Sequence, residues 1–163
     1  MILVHYYEPE TQRWRQGDVS LLPASIAADA RVWLNLDQAS ADEIQQVMLR
    51  FAIAATLTDD FSRQRHPPKL ETQADFTLLV MRAYADADFA QYNASAQVNL
   101  LFSKQVLISR IQCHNPELYQ QLLPPLNTQQ SAVIAEWIKH IIATVSASPA
   151  RSPRNSSRPA PIA

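Results

Sequence analysis

The stretch RVWLNLDQASADEIQQVMLRF, residues 31–51, decides the fold class, because a strand signal runs directly into a helix signal. In residues 31–37 the branched apolar side chains fall on alternate positions, a two-residue period that predicts a strand. Ser40 and Glu43 then form the Ser-x-x-Glu pattern of a capping box, which predicts where a helix begins. The helix carries one apolar stripe at helical spacing, formed by Ile44, Val47, Met48 and Phe51.

The patterns on either side of this stretch complete an alternating order of elements. Residues 8–18 predict a turn or hairpin region, and a short second helix is expected between Phe51 and the proline break at residues 66–69. Further strands are predicted at 1–7, 75–85, 96–102 and 105–111, and further helices at 116–126 and 128–145. Ser103-Lys104 predicts a compact hairpin between the last two strands. The order predicts an α/β fold with a mixed β-sheet sandwiched between helices.

Composition indicates one domain followed by a tail. The 163 residues include 47% apolar residues, enough for a core, and carry a formal net charge of −1. All 15 acidic residues precede residue 146, whereas the segment 146–163 is rich in Ser, Pro and Arg. We expect residues 1–145 to form the domain and 146–163 to be a disordered tail. The mildly acidic body argues against a nucleic-acid partner, which would call for a basic patch.

Several chemistries lack their sequence requirements. The chain has one glycine, Gly17, so the phosphate-binding and nucleophile-elbow motifs that need two or three glycines are absent. The four histidines form no HxH or HExxH pair, so exposed or satisfied histidines are favoured over a zinc site. Cys113 beside His114 could form a nucleophilic pair, but adjacent strand residues point to opposite faces and favour a plain thiol. We therefore expect that this protein is not an enzyme.

Asp59 and Asp60 leave two interpretations open. Carboxylates suit hard cations such as Mg²⁺. Neighbouring residues on a helix, however, diverge by about 100° and cannot easily hold one ion together. A metal site would need a further oxygen ligand from elsewhere in the chain or from another subunit. The other interpretation is an acidic pair that is simply solvated.

Residues 31–111 contain an ordered series of motifs. The series comprises the strand at Trp33–Leu36, the helix start at Ser40–Glu43, the segment Phe51–Asp60, the element Pro68–Glu71, the strand start Asp75-Phe76 and the later hairpin. This series resembles the N-terminal cytoplasmic domain of CorA-type magnesium transporters. The resemblance extends over about residues 1–142. In one departure, FAIAA at Phe51–Ala55 stands where the family has Phe-Gly-Ile-His-Pro.

The resemblance implies an α-β-α sandwich in a homo-oligomer, pentameric in the intact family. It also implies a regulatory Mg²⁺ at a subunit interface, bound by Asp60, with Asp59 beside it, and by an acid on a neighbour's stalk helix. The stalk, both membrane spans and the Gly-Met-Asn signature of the family are not in this sequence. We therefore expect a truncated fragment, cytoplasmic as written, of an inner-membrane transporter for Mg²⁺ or another divalent cation. The alternative is a stand-alone soluble α/β interaction domain.

Overall fold

A computed structural model of the chain describes residues 1–84, 95–122 and Lys139. Seven strands form one sheet: β1 (Leu3–Glu8), β2 (Arg13–Gly17), β3 (Arg31–Asn35), β4 (Lys69–Gln73), β5 (Phe76–Tyr84), β6 (Ser95–Phe102) and β7 (Val106–Cys113). The helices are α1 (Ala41–Arg50), α2 (Ala55–Ser62) and α3 (Pro116–Leu122), and a 3-10 turn spans Val19–Leu21. No helix within 1–84 or 95–122 is long and apolar enough to cross a membrane.

The sheet is mixed, as the order of elements predicts. Its strand order is β2-β1-β3-β7-β6-β5-β4, and every neighbouring pair is antiparallel except β3 and β7, which are parallel. Helices α1 and α2 lie in the connection between β3 and β4, the strand at the far edge of the sheet. Those helices cover one face, and α3 packs on the other. The expected mixed sheet between helices is confirmed.

The two faces carry separate apolar clusters. On the α1/α2 face, the predicted helical stripe of Ile44, Val47 and Met48 is buried against strand residues. On the α3 face, Leu118 and Leu122 pack with Trp33 and the alternate residues of β6 and β7. Strand β6 lies between the clusters, and its residues 96–101 are all buried. Burial on both faces makes β6 a central strand.

The two strands at the sheet edges were not predicted. Strand β2 lies within the segment expected to be a turn or hairpin, and β4 follows the prolines that end the helical region. Both strands have mostly exposed or half-buried residues, and Leu70 in β4 is 69% exposed. Edge strands form by pairing with a neighbour and are often charged, so they lack the apolar alternation on which the prediction depends.

The boundaries of the remaining elements follow the sequence closely. The capping box is present: Ser40 Oγ accepts from the Glu43 backbone N–H at 3.2 Å, and Glu43 Oε2 accepts from the Ser40 N–H at 2.8 Å. The second helix, the 103–105 hairpin and the helix beginning at Pro116 are confirmed. The predicted helix at 128–145, Lys139 excepted, and the predicted tail at 146–163 lie outside the described residues.

Helix α1 ends in a left-handed residue that is not glycine. Ala52 has φ of 51°, and its N–H bonds to the Leu49 carbonyl while the Ile53 N–H bonds to the Met48 carbonyl. This pair of bonds is the Schellman motif, in which the left-handed position usually holds glycine. Ala52 is also where the resemblance places the family's glycine. With alanine in place of glycine, the helix still ends at the same position, but the backbone is strained there.

We expect Ala52→Gly to raise the free energy of unfolding by about 0.5–1 kcal/mol, because it removes the strain of a β-carbon at positive φ. Urea denaturation of the full chain measures the change. Ala41→Gly, at the helical start of α1, is the control and should lower stability, since glycine there only adds unfolded-state entropy. A loss of stability in Ala52→Gly would contradict the assignment of strain.

Candidate functional site

Helix α2 directs Asp59 and Asp60 to different environments. Asp59 is exposed and lines a shallow depression with Gln45 and Thr58 between α1 and α2. The Asp60 side chain is only 15% exposed and turns toward β4. The divergence expected of neighbouring helical residues is therefore present. The two carboxylates are not arranged as a pair.

Three nitrogen-bearing side chains surround the Asp60 carboxylate, those of Lys69, His66 and Arg63. Lys69 Nζ donates a hydrogen bond to Oδ2, while His66 Nε2 lies 3.2 Å and Arg63 Nη1 lies 4.0 Å from Oδ1. The hydrogen bond from Lys69 is the main cause that holds the pKa of Asp60 below its ordinary value. Both carboxylate oxygens thus have a partner in the chain. A metal ion at Asp60 would have to compete with Lys69.

Lys69 forms ion pairs with two acids, Asp60 and Glu71. Its ammonium group also donates to Glu71 Oε2, two residues further along β4. Hydrogen bonds to both acids raise the pKa of Lys69, and the same contact lowers the pKa of Glu71. We call Asp60, His66, Lys69 and Glu71 the acidic clamp. Because Lys69 has a second acid at hand, it can release Asp60 without losing every ionic partner.

Two buried amides of β6 fix the segment that carries His66. The Gln97 side chain accepts from the His66 backbone N–H at 2.7 Å and donates to the Arg63 carbonyl at 2.9 Å. Asn99 Nδ2 donates to the Phe61 carbonyl at 2.7 Å, and its oxygen accepts from Gln97 at 3.1 Å. These bonds satisfy backbone groups at the C-terminal end of α2, where a helix leaves carbonyls without partners. They hold residues 61–66 against the sheet.

Only part of the clamp could be recognised in the sequence. Asp60 stands out through its acidic neighbour, and Lys69 and Glu71 belong to the Pro68–Glu71 element of the resemblance. Lys69 is nine residues from Asp60, so no local spacing rule joins them. Gln97 could have been suspected, because an amide inside an otherwise apolar strand needs a buried partner.

The structure gives no three-ligand metal centre in its described part. Within residues 1–84 and 95–122, no group of three or more His, Cys, Asp or Glu side chains is placed to hold an ion. Asp59 and Asp60 together offer carboxylate oxygens suited to Mg²⁺. A further oxygen ligand would have to come from outside this set.

Among the other candidate residues, Cys113 has a hydrogen-bond partner, whereas buried His5 has a ring nitrogen without one in the described part of the chain. Cys113 Sγ donates to the Asn115 carbonyl at 3.2 Å, and burial raises the pKa of the thiol, which disfavours a nucleophilic thiolate. His5 is buried and stacks on Trp33 with ring centroids 4.4 Å apart. Its Nε2 has no hydrogen-bond partner among the residues described, so this histidine is neither exposed nor fully satisfied. Burial lowers the pKa of His5.

We expect Gln97→Leu to lower the free energy of unfolding by about 2–3 kcal/mol, because it leaves the His66 N–H and the Arg63 carbonyl without their partner. Urea denaturation measures the effect. Gln46→Leu, an exposed position on α1, is the matched control and should change stability by at most about 0.5 kcal/mol. Equal effects in the two variants would contradict a structural role for the buried amide.

The clamp also predicts a pH dependence. A carboxylate whose pKa is lower in the folded state stabilises the fold above its unfolded pKa of about 3.9, and loses that contribution as the pH falls through the folded value. The melting temperature of Asp60→Asn should therefore lie below that of wild type at pH 7. The difference between the two melting temperatures should shrink as the pH falls below about 4. Thermal melts across this range test it, with the exposed Asp59→Asn as control. A gap of equal size at pH 3 would contradict an electrostatic clamp.

The chain matches known proteins in its structure and not in its sequence. No protein-family profile and no curated relative matches the chain. The CorA magnesium transporter from Methanocaldococcus jannaschii superimposes with a TM-score of 0.62 at 10% identity, over 90% of this chain and 44% of that one. The ZntB cytoplasmic domain from Vibrio parahaemolyticus superimposes with a TM-score of 0.61 at 13% identity, over 88% of this chain and 57% of that one. Full-length CmaX superimposes with a TM-score of 0.64 at 10% sequence identity, over 88% of this chain and 44% of that one.

The chain thus spans about half the length of the solved proteins it resembles. The soluble domain of the M. jannaschii CorA, taken alone, also matches, with a TM-score of 0.57 over 90% of this chain. Identities of 10–13% establish shared architecture and leave activity open. The chain has the fold that the CorA soluble domain and the ZntB cytoplasmic domain share.

Proposed function

We propose that this chain is the cytoplasmic regulatory part of a CorA-like divalent-cation transporter. The observation that carries the proposal is the match of the whole sheet and its helices to CorA and ZntB domains over about nine-tenths of the chain. The order of sequence motifs in residues 31–111 supports the same assignment independently. Within such a transporter, this chain would have a sensing role on the cytoplasmic face of the inner membrane.

The acidic clamp would be the sensing element. Mg²⁺ would bind the Asp60 carboxylate after displacing Lys69, which keeps its contact with Glu71. Exposed Asp59 lies on the same helix and adds negative charge near the ion. The remaining oxygen ligands would come from another copy of the subunit. Binding of metal would then neutralise acidic charge between subunits and favour their association.

Displacement of Lys69 sets the affinity. An ammonium group already bonded to Asp60 opposes a divalent cation through competition for the same oxygen and through like-charge repulsion. Such a site responds only to high cation concentrations, which suits a sensor of an abundant ion such as Mg²⁺. Removal of the Lys69 charge should therefore strengthen cation binding. A purely structural salt bridge predicts no such gain.

We expect the full chain to associate as Mg²⁺ is raised through the millimolar range, as measured by sedimentation velocity at constant ionic strength. Asp60→Asn should abolish the response, and Lys69→Gln should shift it to concentrations lower by about fivefold or more, since one lost charge–charge contact is worth about 1 kcal/mol. Asp42→Asn, an exposed acid on α1, is the control and should respond as wild type.

An association state that ignores Mg²⁺ in wild type and in Lys69→Gln would contradict the sensing role. The chain would then be better described as an α/β interaction domain with the CorA architecture. A response to Mg²⁺ that Asp60→Asn leaves unchanged would place the metal elsewhere.

A further inference from the structure

A second site, rich in arginine, lies beyond the C-terminal end of α2. A pocket of about 300 Å³ is lined by residues of β5, β6 and β7 and of the segment after α2, and three of them are Arg65, Arg82 and Arg110. The register pairs Arg82 with Gln97 and Gln97 with Gln112, so these side chains form one row on one face.

Arginines outnumber acids among the described residues that line the pocket. These residues include the three arginines and one acid, Asp37. The Asp37 carboxylate is already occupied, since Oδ1 accepts from the Ile111 N–H and Oδ2 accepts from the Tyr119 hydroxyl, each at 2.6 Å. One carboxylate can offset only part of the charge of three guanidinium groups. Guanidinium groups stay protonated at physiological pH.

Three side chains of the pocket have a donor with a long contact or with no acceptor among the described residues, namely Arg82, Arg110 and Gln112. Within the described residues, Arg82 Nη2 reaches the His66 carbonyl at 3.5 Å and Gln97 Oε1 at 3.4 Å, which is long for bonds from a charged donor. Arg110 donates Nη1 to the Ser62 carbonyl at 3.1 Å, but its buried Nε finds no acceptor in the part of the chain described. The same holds for Gln112 Nε2. Buried donors without acceptors are costly, and cationic ones most of all.

We propose that this pocket binds a small oxyanion, namely phosphate or the phosphate group of a small molecule. Such an anion offers several oxygens to the planar forks of two or three arginines, a geometry that guanidinium groups favour. The volume is at the lower end of the range for small-molecule sites, which fits a compact ligand. This site takes a ligand of opposite charge to the proposed metal and does not depend on the transporter assignment.

The test is calorimetric titration of the full chain with inorganic phosphate at constant ionic strength, in buffer free of divalent cations. We expect saturable binding at one site per chain. Arg82→Gln should weaken it by about tenfold or more, as expected for a lost hydrogen bond to a charged group. Gln64→Glu, which places an acid on the exposed rim of the pocket, should weaken it without touching the interior. Arg13→Gln, on the exposed strand β2, should bind as wild type.

Absence of saturable binding up to tens of millimolar phosphate and of a nucleoside triphosphate would overturn the proposal. An equal loss in Arg13→Gln and Arg82→Gln would also overturn it, because it would indicate non-specific attraction to positive charge. If Arg82→Gln fails to fold, unchanged affinity in Gln64→Glu would overturn it. Saturable binding of either ligand that Gln64→Glu weakens supports the site, and the tighter ligand shows whether phosphate is recognised alone or on a larger molecule.

Discussion

The satisfaction of two buried amides on the central strand governs the layout of this domain. Gln97 and Asn99 are 3% and 0% exposed, on a strand that is covered on both faces. Each must find partners away from water, and the partners are backbone groups of residues 61–66. That requirement ties the end of α2 to the sheet. It places Asp60 against β4, with the arginine pocket beyond the end of α2.

In the proposed metal site, ion pairing within the acidic clamp would tune the affinity for the cation. Lys69 holds the Asp60 carboxylate within the subunit and lowers its pKa. In the proposed exchange, Lys69 would keep its contact with Glu71. Partly exposed pairs of this kind contribute at most about 1 kcal/mol to stability. In the proposed sensor, the pair would set the cation concentration at which the site is occupied.

The sequence anticipated those features that local physics determines. The capping box at Ser40, the buried stripe of α1 and the apolar strands β5 to β7 follow from spacing alone, and the structure contains all of them. The edge strands β2 and β4 were missed, because backbone pairing rather than side-chain pattern creates them. The partners of Asp60 were missed for a related reason. They meet through a fold-dependent approach of α2 to β4, which no short-range spacing encodes.

Exchange of cations at Asp60 is the central claim, and carbon-13 NMR of the aspartate carboxyl groups tests it most directly. In a Mg²⁺ titration of the full chain, the account predicts a saturable shift of the Asp60 carboxyl signal, together with a shift of the Lys69 side-chain signals as the ammonium group withdraws to Glu71. An Asp60 signal that stays fixed while exposed carboxylates such as Asp59 shift weakly and without saturation would contradict it. The clamp would then be a structural salt bridge alone.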